Sequence, residues 1–408
     1  MTKSKWWVAL ITLIALFGAA CGGDDDDTSA GQSSSATEDG GSEPQTVTVR
    51  ISSPLSGNQA ASGVWAHGIK AFLDGVNADG GVNGAIFDVE VVDDGFEAAR
   101  TTANIRKFID QDGADVIFTY GGGAARANED YIERSKVMTV PYAGGQYAPD
   151  GVEELPYFRS WAPSIIHEGF LITQQIFDDD PNAKVGVLSY DNVSGEKYAE
   201  GVQSAAEEAG KEDQIVAVDL FDPLTTDLTS NITRLRDAGA TSLVLLVAGG
   251  AGTQAIKYVR QIGWEVPVYN QSGNTSRTGM LEPMGADAVG LRTPRYLVDA
   301  GDLPDEDWVD RFIADVEREG NGDPTDLNVL NGYTTGATLV EAVKAAGDDL
   351  SVEGILAGWD SLEGVTVPGL LPGVTLSPGD DINIIRNMQL AEWNGTGFDD
   401  VGDVVAVD

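Results

Sequence analysis

The chain has 408 residues, 42% hydrophobic and 22% charged, a composition typical of a soluble globular protein long enough for two domains. Its 65 acidic residues outnumber 25 basic ones, so the formal net charge is -40. Such an acidic surface repels phosphate backbones, which excludes nucleic acid as an expected partner. A solubility shell accounts for the acidity, and adaptation to a salty exterior is the narrower alternative.

The first 20 residues have the form of an export signal. Lys3 and Lys5 precede the apolar run "WWVALITLIALF", which is followed by the small residues 18–20 and then by Cys21, the only cysteine. The run is too short to span a bilayer comfortably. A cysteine in this position resembles the lipobox of bacterial lipoproteins, which implies a signal peptide over residues 1–20 and a lipid anchor on Cys21. The alternative is a short membrane anchor, or a plain cleaved signal with an incidental cysteine.

Residues 22–44, "GGDDDDTSAGQSSSATEDGGSEP", contain alanine as their only apolar residue type and show no periodicity. Such a segment buries too little surface to offset its ordering entropy, so we expect a disordered tether over residues 21–44. The four adjacent aspartates lack the alternating spacing of a calcium loop, which favours a solvated spacer.

From Val47 onward, short apolar runs alternate with amphipathic stretches of helical length. The pattern predicts a helix over about 98–111 and strands at 47–51, 87–94, 115–120, 184–190, 214–221 and 242–247. Runs of Val, Ile and Leu separated by helices indicate parallel strands covered on both faces. The expected fold class is therefore α/β, with doubly wound parallel sheets.

Two segments of the chain echo each other. The first, "GADVIFTYGGGAARANEDYIERSKVMTVP", spans 113–141, and "GATSLVLLVAGGAGTQAIKYVRQIGWEVP" spans 239–267. Each begins with Gly-Ala, passes through an apolar strand to a glycine cluster and a helix, and ends in Val-Pro after the same interval. Equal spacing favours a duplicated lobe over a chance likeness of two βα units. Two similar lobes would turn their strand ends toward one cleft, where ligands of parallel sheets bind.

Several motifs resemble the solute-binding lipoproteins of ABC importers, in particular the leucine/isoleucine/valine-binding family with the type I periplasmic-binding fold. The motifs are "SSPLSGNQAASG" at 52–63, "GVNADGGVNGAIFDVEVVDD" at 75–94, "DLTSNITRLRDAGATSLVLLVAGG" at 227–250 and "YTTGATLVEAVKAAG" at 333–347. The similarity spans roughly 46–400. It implies two α/β lobes joined by three crossing strands, closing on a small solute like a hinge.

This resemblance implies a domain organisation as well. We expect lobe I to comprise residues 45–160 and 296–366, and lobe II to comprise 161–295 and 367–408. The crossings are expected near Ser160, Arg295 and Val367.

Candidate ligand-binding residues of lobe I lie in loops after its strands. The resemblance assigns Ser62 to the first of them. Glycines let backbone N-H groups approach a carboxylate closely in "TYGGGAARAN", and turn formation explains them equally well. The candidates in this lobe are Ser62, Gly122, Gly123, Ala124, Gly145 and Gln146, with Gly144 beside them.

Lobe II departs further from the family. Ser194 replaces an aromatic residue, and Ala251 stands where amino-acid binders place an acid for the ligand's ammonium. Because a desolvated ammonium without a counter-charge is costly, a standard α-amino acid is doubtful unless Asp191 or a residue elsewhere supplies the charge. The loop "YNQSGNTS" favours a neutral polar or hydroxylated solute. The candidates here are Asp191, Ser194, Ala251, Gln271 and Ser272, with Asn274 in the same loop.

Catalysis is not expected. The chain has two histidines, His67 and His167, and no HExxH, CxxC or GxSxG motif. We expect neither a metal nor a cofactor. The favoured function is an extracytoplasmic, monomeric lipoprotein on the outer face of the plasma membrane. It would capture a small polar solute, such as an amino acid, an amide or a related organic molecule, and deliver it to an ABC permease. The alternatives are a ligand sensor docking on a signalling partner and a carboxylate-dependent envelope hydrolase.

Overall fold

The computed structural model describes residues 44–143 and 153–407. The predicted signal peptide, the tether and Cys21 lie outside the described residues. None of the helices within the described ranges is long and apolar enough to cross a membrane.

The first part of the chain forms a parallel sheet with the strand order β2-β1-β3-β4. Its strands alternate with helices because apolar strand residues are buried beneath amphipathic helical faces. The elements are β1 (Gln45–Ser53), α1 (Ala60–Gly63), α2 (Trp65–Ala78), β2 (Ala85–Asp93), α3 (Ala98–Asp110), β3 (Val116–Thr119), α4 (Gly122–Arg126), α5 (Glu129–Ser135) and β4 (Met138–Pro141).

The second part of the chain builds a larger sheet, of order β11-β10-β9-β8-β7-β5-β6. Every pair of neighbouring strands among β5 to β9 is parallel. The elements are α6 (Ile165–Asp179), β5 (Val185–Tyr190), α7 (Val193–Glu208), β6 (Ile215–Phe221), α8 (Thr229–Asp237), β7 (Ser242–Leu245), α9 (Gly249–Gln261), β8 (Val268–Asn270), α10 (Glu282–Met284) and β9 (Leu291–Arg295).

The last part of the chain contributes to both regions. Helix α12 packs along α2 beside the first sheet, whereas β10 and β11 complete the second sheet in antiparallel fashion. The antiparallel edge was not expected from the sequence. The elements are α11 (Asp307–Glu319), α12 (Leu327–Ala346), α13 (Val352–Trp359), β10 (Asn387–Trp393) and β11 (Phe398–Ala406). Parallel pairing still dominates, so the predicted α/β class is confirmed.

The chain passes three times between the two regions. The passages lead from β4 to α6, from β9 to α11 and from α13 to β10. Ser160 and Val367 lie in the first and third passages, and Arg295 is the last residue of β9, where the second passage begins. The lobe limits expected from the sequence stay a prediction. The passages also hydrogen-bond to one another. Ser160 donates its N-H to the carbonyl of Ile382 at 2.7 Å, and Leu371 donates to the carbonyl of Tyr296 at 2.9 Å.

Helices α2 and α12 approach so closely that glycine is required at their contact. A Cβ at Gly332 would overlap the carbonyl oxygen of Trp65, and a Cβ at Gly68 would overlap the carbonyl oxygen of Val329. This contact lets a long, almost completely buried α12 lie beside the first sheet. Its buried threonines then reach the residues of the passages, as described below.

The two echoing segments form comparable units. Strands β3 and β7 occupy equivalent positions after Gly113 and Gly239, and both glycines have a positive φ. The helices differ, because the first unit contains the short α4 and α5 where the second contains the continuous α9. Duplication of a lobe stays a prediction.

Candidate functional site

Loops at the carboxyl ends of both sheets contain most of the predicted ligand-binding residues. In a parallel sheet these ends share one edge, so the loops after β1, β3 and β4 are neighbours, and so are those after β5, β7 and β8. Helix α6 runs back to the start of β5, which brings its N-terminus to the same edge of the second sheet. The two edges together form the candidate site.

An aromatic cluster occupies this edge of the first sheet. Tyr120 lies edge-on to Phe96 and to Tyr142, each with ring centroids 5.9 Å apart, and Tyr142 is 5.3 Å from Trp65. Ser62, a predicted site residue in α1, hydrogen-bonds to Tyr120. Burial raises the pKa of Tyr120 and of Tyr142, so both phenols are neutral hydrogen-bonding groups. This wall suits the apolar body of an organic molecule.

Phe96 is the most exposed member of this cluster, with 52% of its surface accessible. It has a φ of +62°, a conformation that bulky residues rarely adopt. Asp94 holds this turn by accepting hydrogen bonds from the Phe96 N-H at 2.9 Å and the Ser52 hydroxyl at 2.8 Å. Asp93 accepts from the Ser56 hydroxyl at 2.6 Å. The paired aspartates therefore fix an exposed aromatic ring at the sheet edge.

The glycine-rich loop after β3 leads into α4, which contains Gly122, Gly123 and Ala124. The helix has only 5 residues, so its dipole offers a carboxylate less than a longer helix would. Gly123 is exposed, and a Cβ there would meet nothing within 4 Å. Gly144, Gly145 and Gln146 lie outside the described residues.

The first predicted site residues of the second sheet follow β5. Asp191 is exposed, and its backbone N-H donates to the carbonyl of Phe221 at 2.7 Å. Ser194 is half-buried in the first turn of α7, where Asn192 caps the helix by accepting from the Gly195 N-H at 3.0 Å. These contacts keep Asp191 and Ser194 at the mouth of the sheet edge rather than deep within it.

The loop after β7 carries Ala251 in the first turn of α9. The preceding Ala248 donates its N-H to the hydroxyl of Tyr190, a side chain whose pKa is raised by burial. Gly249 has a φ of +58°, and a Cβ on it or on Gly250 would meet nothing within 4 Å. Ala251 itself is half-buried and carries no charge.

The loop after β8 is the most completely hydrogen-bonded part of the site. Buried Asn270 ties it to β7 by accepting from the Val247 N-H and donating to the Val247 carbonyl, each at 3.2 Å. Gln271 and Ser272, both predicted site residues, donate to the carboxylate of Glu168 on α6. Asn274 is half-buried in the same loop.

Glu168 was not among the predicted site residues. Its side chain is 1% exposed, and this burial raises its pKa from 4.5 to about 7, while the donors of Ser272 and Gln271 act in the opposite direction. The stretch "IIHEGFLI" held the sequence clue. Glu168 lies three or four positions from Ile165, Leu171 and Ile172, on the face of α6 that packs inward.

Aromatic residues at the passages pack together on helix α12. Trp161 and Tyr296, which follow the first two passages, have ring centroids 5.6 Å apart, and Trp161 is 6.0 Å from Trp65. Trp161 Nε1 donates to Thr338 Oγ1 at 2.8 Å, and Tyr296 donates to Asn331 Oδ1 at 3.1 Å. Contacts between aromatic rings therefore extend without a break from the site edge of the first sheet to the passages between the two sheets.

Within residues 44–143 and 153–407, no group of three or more His, Cys, Asp or Glu side chains could hold a metal ion. His67 hydrogen-bonds Glu319 at 3.0 Å, and His167 lies 3.9 Å from Asp381.

Residues 46–398 match the model of the periplasmic binding protein family. The chain belongs to the periplasmic binding proteins. This periplasmic binding protein is 24% identical over 321 residues to Leu/Ile/Val-binding protein homolog 2 of Brucella abortus, covering 77% of this chain and 82% of the relative.

Solved structures share the fold of this periplasmic binding protein. A branched-chain amino acid ABC transporter protein from Thermus thermophilus with bound valine superposes with a TM-score of 0.75 at 20% identity, over 89% of this chain and 97% of the other. A solute-binding protein of an R. palustris ABC transporter, in complex with 4-hydroxybenzoate, gives 0.71 at 19% identity, over 89% and 97%. The expected type I periplasmic-binding fold and family are therefore confirmed, and the protein is a solute-binding protein.

Proposed function

We propose that this periplasmic binding protein captures a small organic solute between the carboxyl-end loops of its two sheets and delivers it to the permease of an ABC importer. The observation that carries the proposal is the arrangement of two mainly parallel sheets, joined by three passages, with polar and aromatic side chains after the carboxyl ends of their parallel strands. Closure about the passages would bring these loops onto the solute. No catalytic step is part of the proposal.

The chemistry of the two edges supports a solute with a polar group and an apolar body. The first edge offers the exposed ring of Phe96 and the half-buried ring of Tyr120, with Tyr142 packed behind them. The second edge offers the amide of Gln271 and lacks a carboxylate at Ala251. Relatives in fold bind such molecules, since valine and 4-hydroxybenzoate each combine a carboxylate with a hydrocarbon body.

The residue roles proposed here are those expected from the sequence. We assign solute contacts to Ser62, Gly122, Gly123, Ala124, Gly145 and Gln146 on lobe I, and to Asp191, Ser194, Ala251, Gln271 and Ser272 on lobe II. The lobe limits are those proposed from the sequence, 45–160 with 296–366 and 161–295 with 367–408. We further propose that the protein is a monomer attached to the outer face of the plasma membrane through lipid on Cys21.

A thermal-shift screen with a library of amino acids, amides and aromatic and aliphatic acids tests the solute proposal. A bound solute stabilises the folded state by mass action, so one chemical class should raise the melting temperature. The same solute, recovered after incubation, should be chemically unchanged, and small-angle scattering should show compaction at saturation. Turnover of the solute, or an unchanged scattering profile at saturation, would overturn this function.

Mass spectrometry of the mature N-terminus from the native host tests the anchor separately. A diacylglycerol-modified Cys21 is expected. An unmodified thiol would remove the anchor and leave the solute-binding proposal intact. Loss of solute uptake on deletion of a neighbouring permease gene would distinguish import from sensing.

A further inference from the structure

Glu168 is a buried carboxylate that faces hydrogen-bond donors but no cation. It lies in the first turns of α6, at the site edge of the second sheet, with a side chain 1% exposed. Among the described ion pairs none involves Glu168. A buried carboxylate is costly unless its oxygens accept hydrogen bonds, so the partners of Glu168 have to supply them.

Those partners all belong to the loop after β8. Glu168 Oε1 accepts from Gln271 Nε2 at 2.7 Å and from the Ser272 hydroxyl at 3.0 Å, and Oε2 accepts from the Ser272 N-H at 2.8 Å. Gln271 Nε2 also donates to the Ser272 hydroxyl at 3.2 Å. The loop is therefore attached to α6 through one carboxylate.

The carboxylate decides which way the Gln271 amide points. If the amide were turned over, its oxygen would stand where Nε2 is, 2.7 Å from a negative oxygen, which is repulsive. Nε2 must therefore face Glu168, and Oε1 faces away from it. In the part of the chain that the structure describes, no hydrogen bond to Gln271 Oε1 is formed, and the residue is half-buried at the strand end.

We propose that Glu168 is a specificity-determining, positioning residue, which holds the Gln271 amide so that its carbonyl oxygen accepts a hydrogen bond from the solute. The solute class that follows carries an N-H or O-H donor at its lobe II end. This inference rests on the proposed function, because it assumes that Gln271 lines the solute site. The Gln271 carbonyl oxygen would also give lobe II an electronegative contact, because Ala251 stands where amino-acid binders place an acid.

Protonation of Glu168 would remove the preference for a donor-bearing solute. A neutral carboxyl can donate a hydrogen bond to the Gln271 oxygen, so the amide could then adopt the opposite orientation. The titratable groups facing Glu168 from neighbouring elements are Tyr198 of α7 and Tyr296 after β9, both with pKa values raised by burial. Tyr198 is buried, and its hydroxyl has no hydrogen-bond partner among the described residues. On α6 itself, His167 lies next to Glu168 and points toward Asp381. Because burial raises the pKa of Glu168 to about 7, the donor preference should grow as the pH rises through 7.

Calorimetric titration with two matched pairs of probes tests the inference. In each pair, 4-hydroxybenzoate against benzoate and L-valine against 3-methylbutanoate, one member has the donor and the other lacks it. At pH 8 the donor-bearing member should bind the wild-type protein about tenfold more tightly. In Glu168→Gln the preference should fall below about threefold, because either orientation of Gln271 is then tolerated. The control Glu208→Gln, which removes an exposed acid on α7, should keep the wild-type preference.

Equal affinities within every pair that binds, or an unchanged preference in Glu168→Gln, would refute the inference. If no probe binds, the solute class of the proposed function is wrong, and a solute-free measurement decides on Glu168. In ¹⁵N-labelled protein, the Gln271 side-chain amide, assigned with Gln271→Leu, and the Ser272 N-H should titrate together near pH 7 in the wild type and not in Glu168→Gln. Absence of this titration in the wild type would also overturn the inference.

Discussion

Replacing Glu168 with glutamine should change how the stability of this protein depends on pH. The wild-type side chain is buried, and burial is the largest cause that raises its pKa from 4.5 to about 7. Glutamine has nearly the same shape and cannot ionise. The difference between the two proteins therefore isolates the titration of one carboxyl, while the other acids titrate alike in both.

The direction follows from proton binding in the two states. Between pH 4.5 and 7 the folded protein holds a proton on Glu168 that the unfolded chain has released. The contribution of Glu168 to the free energy of unfolding therefore falls as the pH rises across this window. The separation of the two pKa values corresponds to about 3 kcal/mol, which is the expected loss relative to Glu168→Gln. Below and above the window the two profiles should run parallel.

Urea unfolding followed by tryptophan fluorescence at pH 4.5, 5.5, 6.5 and 8 measures this difference. At pH 4.5 the two proteins should be within about 1 kcal/mol of each other, since the neutral carboxyl and the amide are similar. At pH 8 the variant should have gained about 3 kcal/mol relative to the wild type. A difference that stays constant across the series, or one that moves in the opposite direction, would refute a Glu168 whose pKa is raised by burial. If the loss is observed, the ionised Glu168 lowers the stability of the protein, as is typical of residues kept for ligand selectivity.

Three further experiments test the packing and hydrogen bonds that hold the site. Gly332→Ala should destabilise the protein by about 3 kcal/mol or more, because its Cβ would overlap the Trp65 carbonyl. The control Gly397→Ala has open space around it and should change the stability by no more than about 0.5 kcal/mol. Thermal melting compares the two variants. Asp94→Ala should cost about 2 to 4 kcal/mol in urea unfolding, since the Ser52 hydroxyl and the Phe96 N-H lose their acceptor, and a neutral result would mean that water replaces the carboxylate. Trp161→Phe and Thr338→Val should each lower the free energy of unfolding by about 1 to 2 kcal/mol. A double-mutant cycle should give a coupling energy of about 1 kcal/mol between them, and additive effects would contradict the hydrogen bond from Trp161 Nε1 to Thr338 Oγ1.

The α/β architecture was predictable because its strands are covered on both faces. Strands such as β5 and β7 are mostly apolar, and the structure buries nearly all of their residues. Predicted and observed limits of these strands differ by one or two residues. The antiparallel β10 and β11 escaped prediction, since β11 alternates irregularly between half-buried and exposed residues and resembles a polar loop.

The candidate site was predicted as a set of loops and not as a set of contacts. Gln271 and Ser272 were candidates because the loop "YNQSGNTS" is polar, and the structure places both directly after β8, a strand that was not predicted. Their partner Glu168 could not be assigned, because it lies 103 and 104 positions away along the chain. Trp161 and Thr338 are separated by 177 positions. Local periodicity carries no information about such pairs.

The sequence by itself therefore determined the fold class, the family and the strand ends at which a solute is expected, because each depends on local apolar patterns and on motifs in order. Only the tertiary structure decided which side chains meet at those ends. It joined the loop after β8 to a buried carboxylate, and it packed the residues of the passages on the threonines of α12. Hydrogen bonds between distant segments form only when the chain is folded, and the orientation of the Gln271 amide is set by one of them.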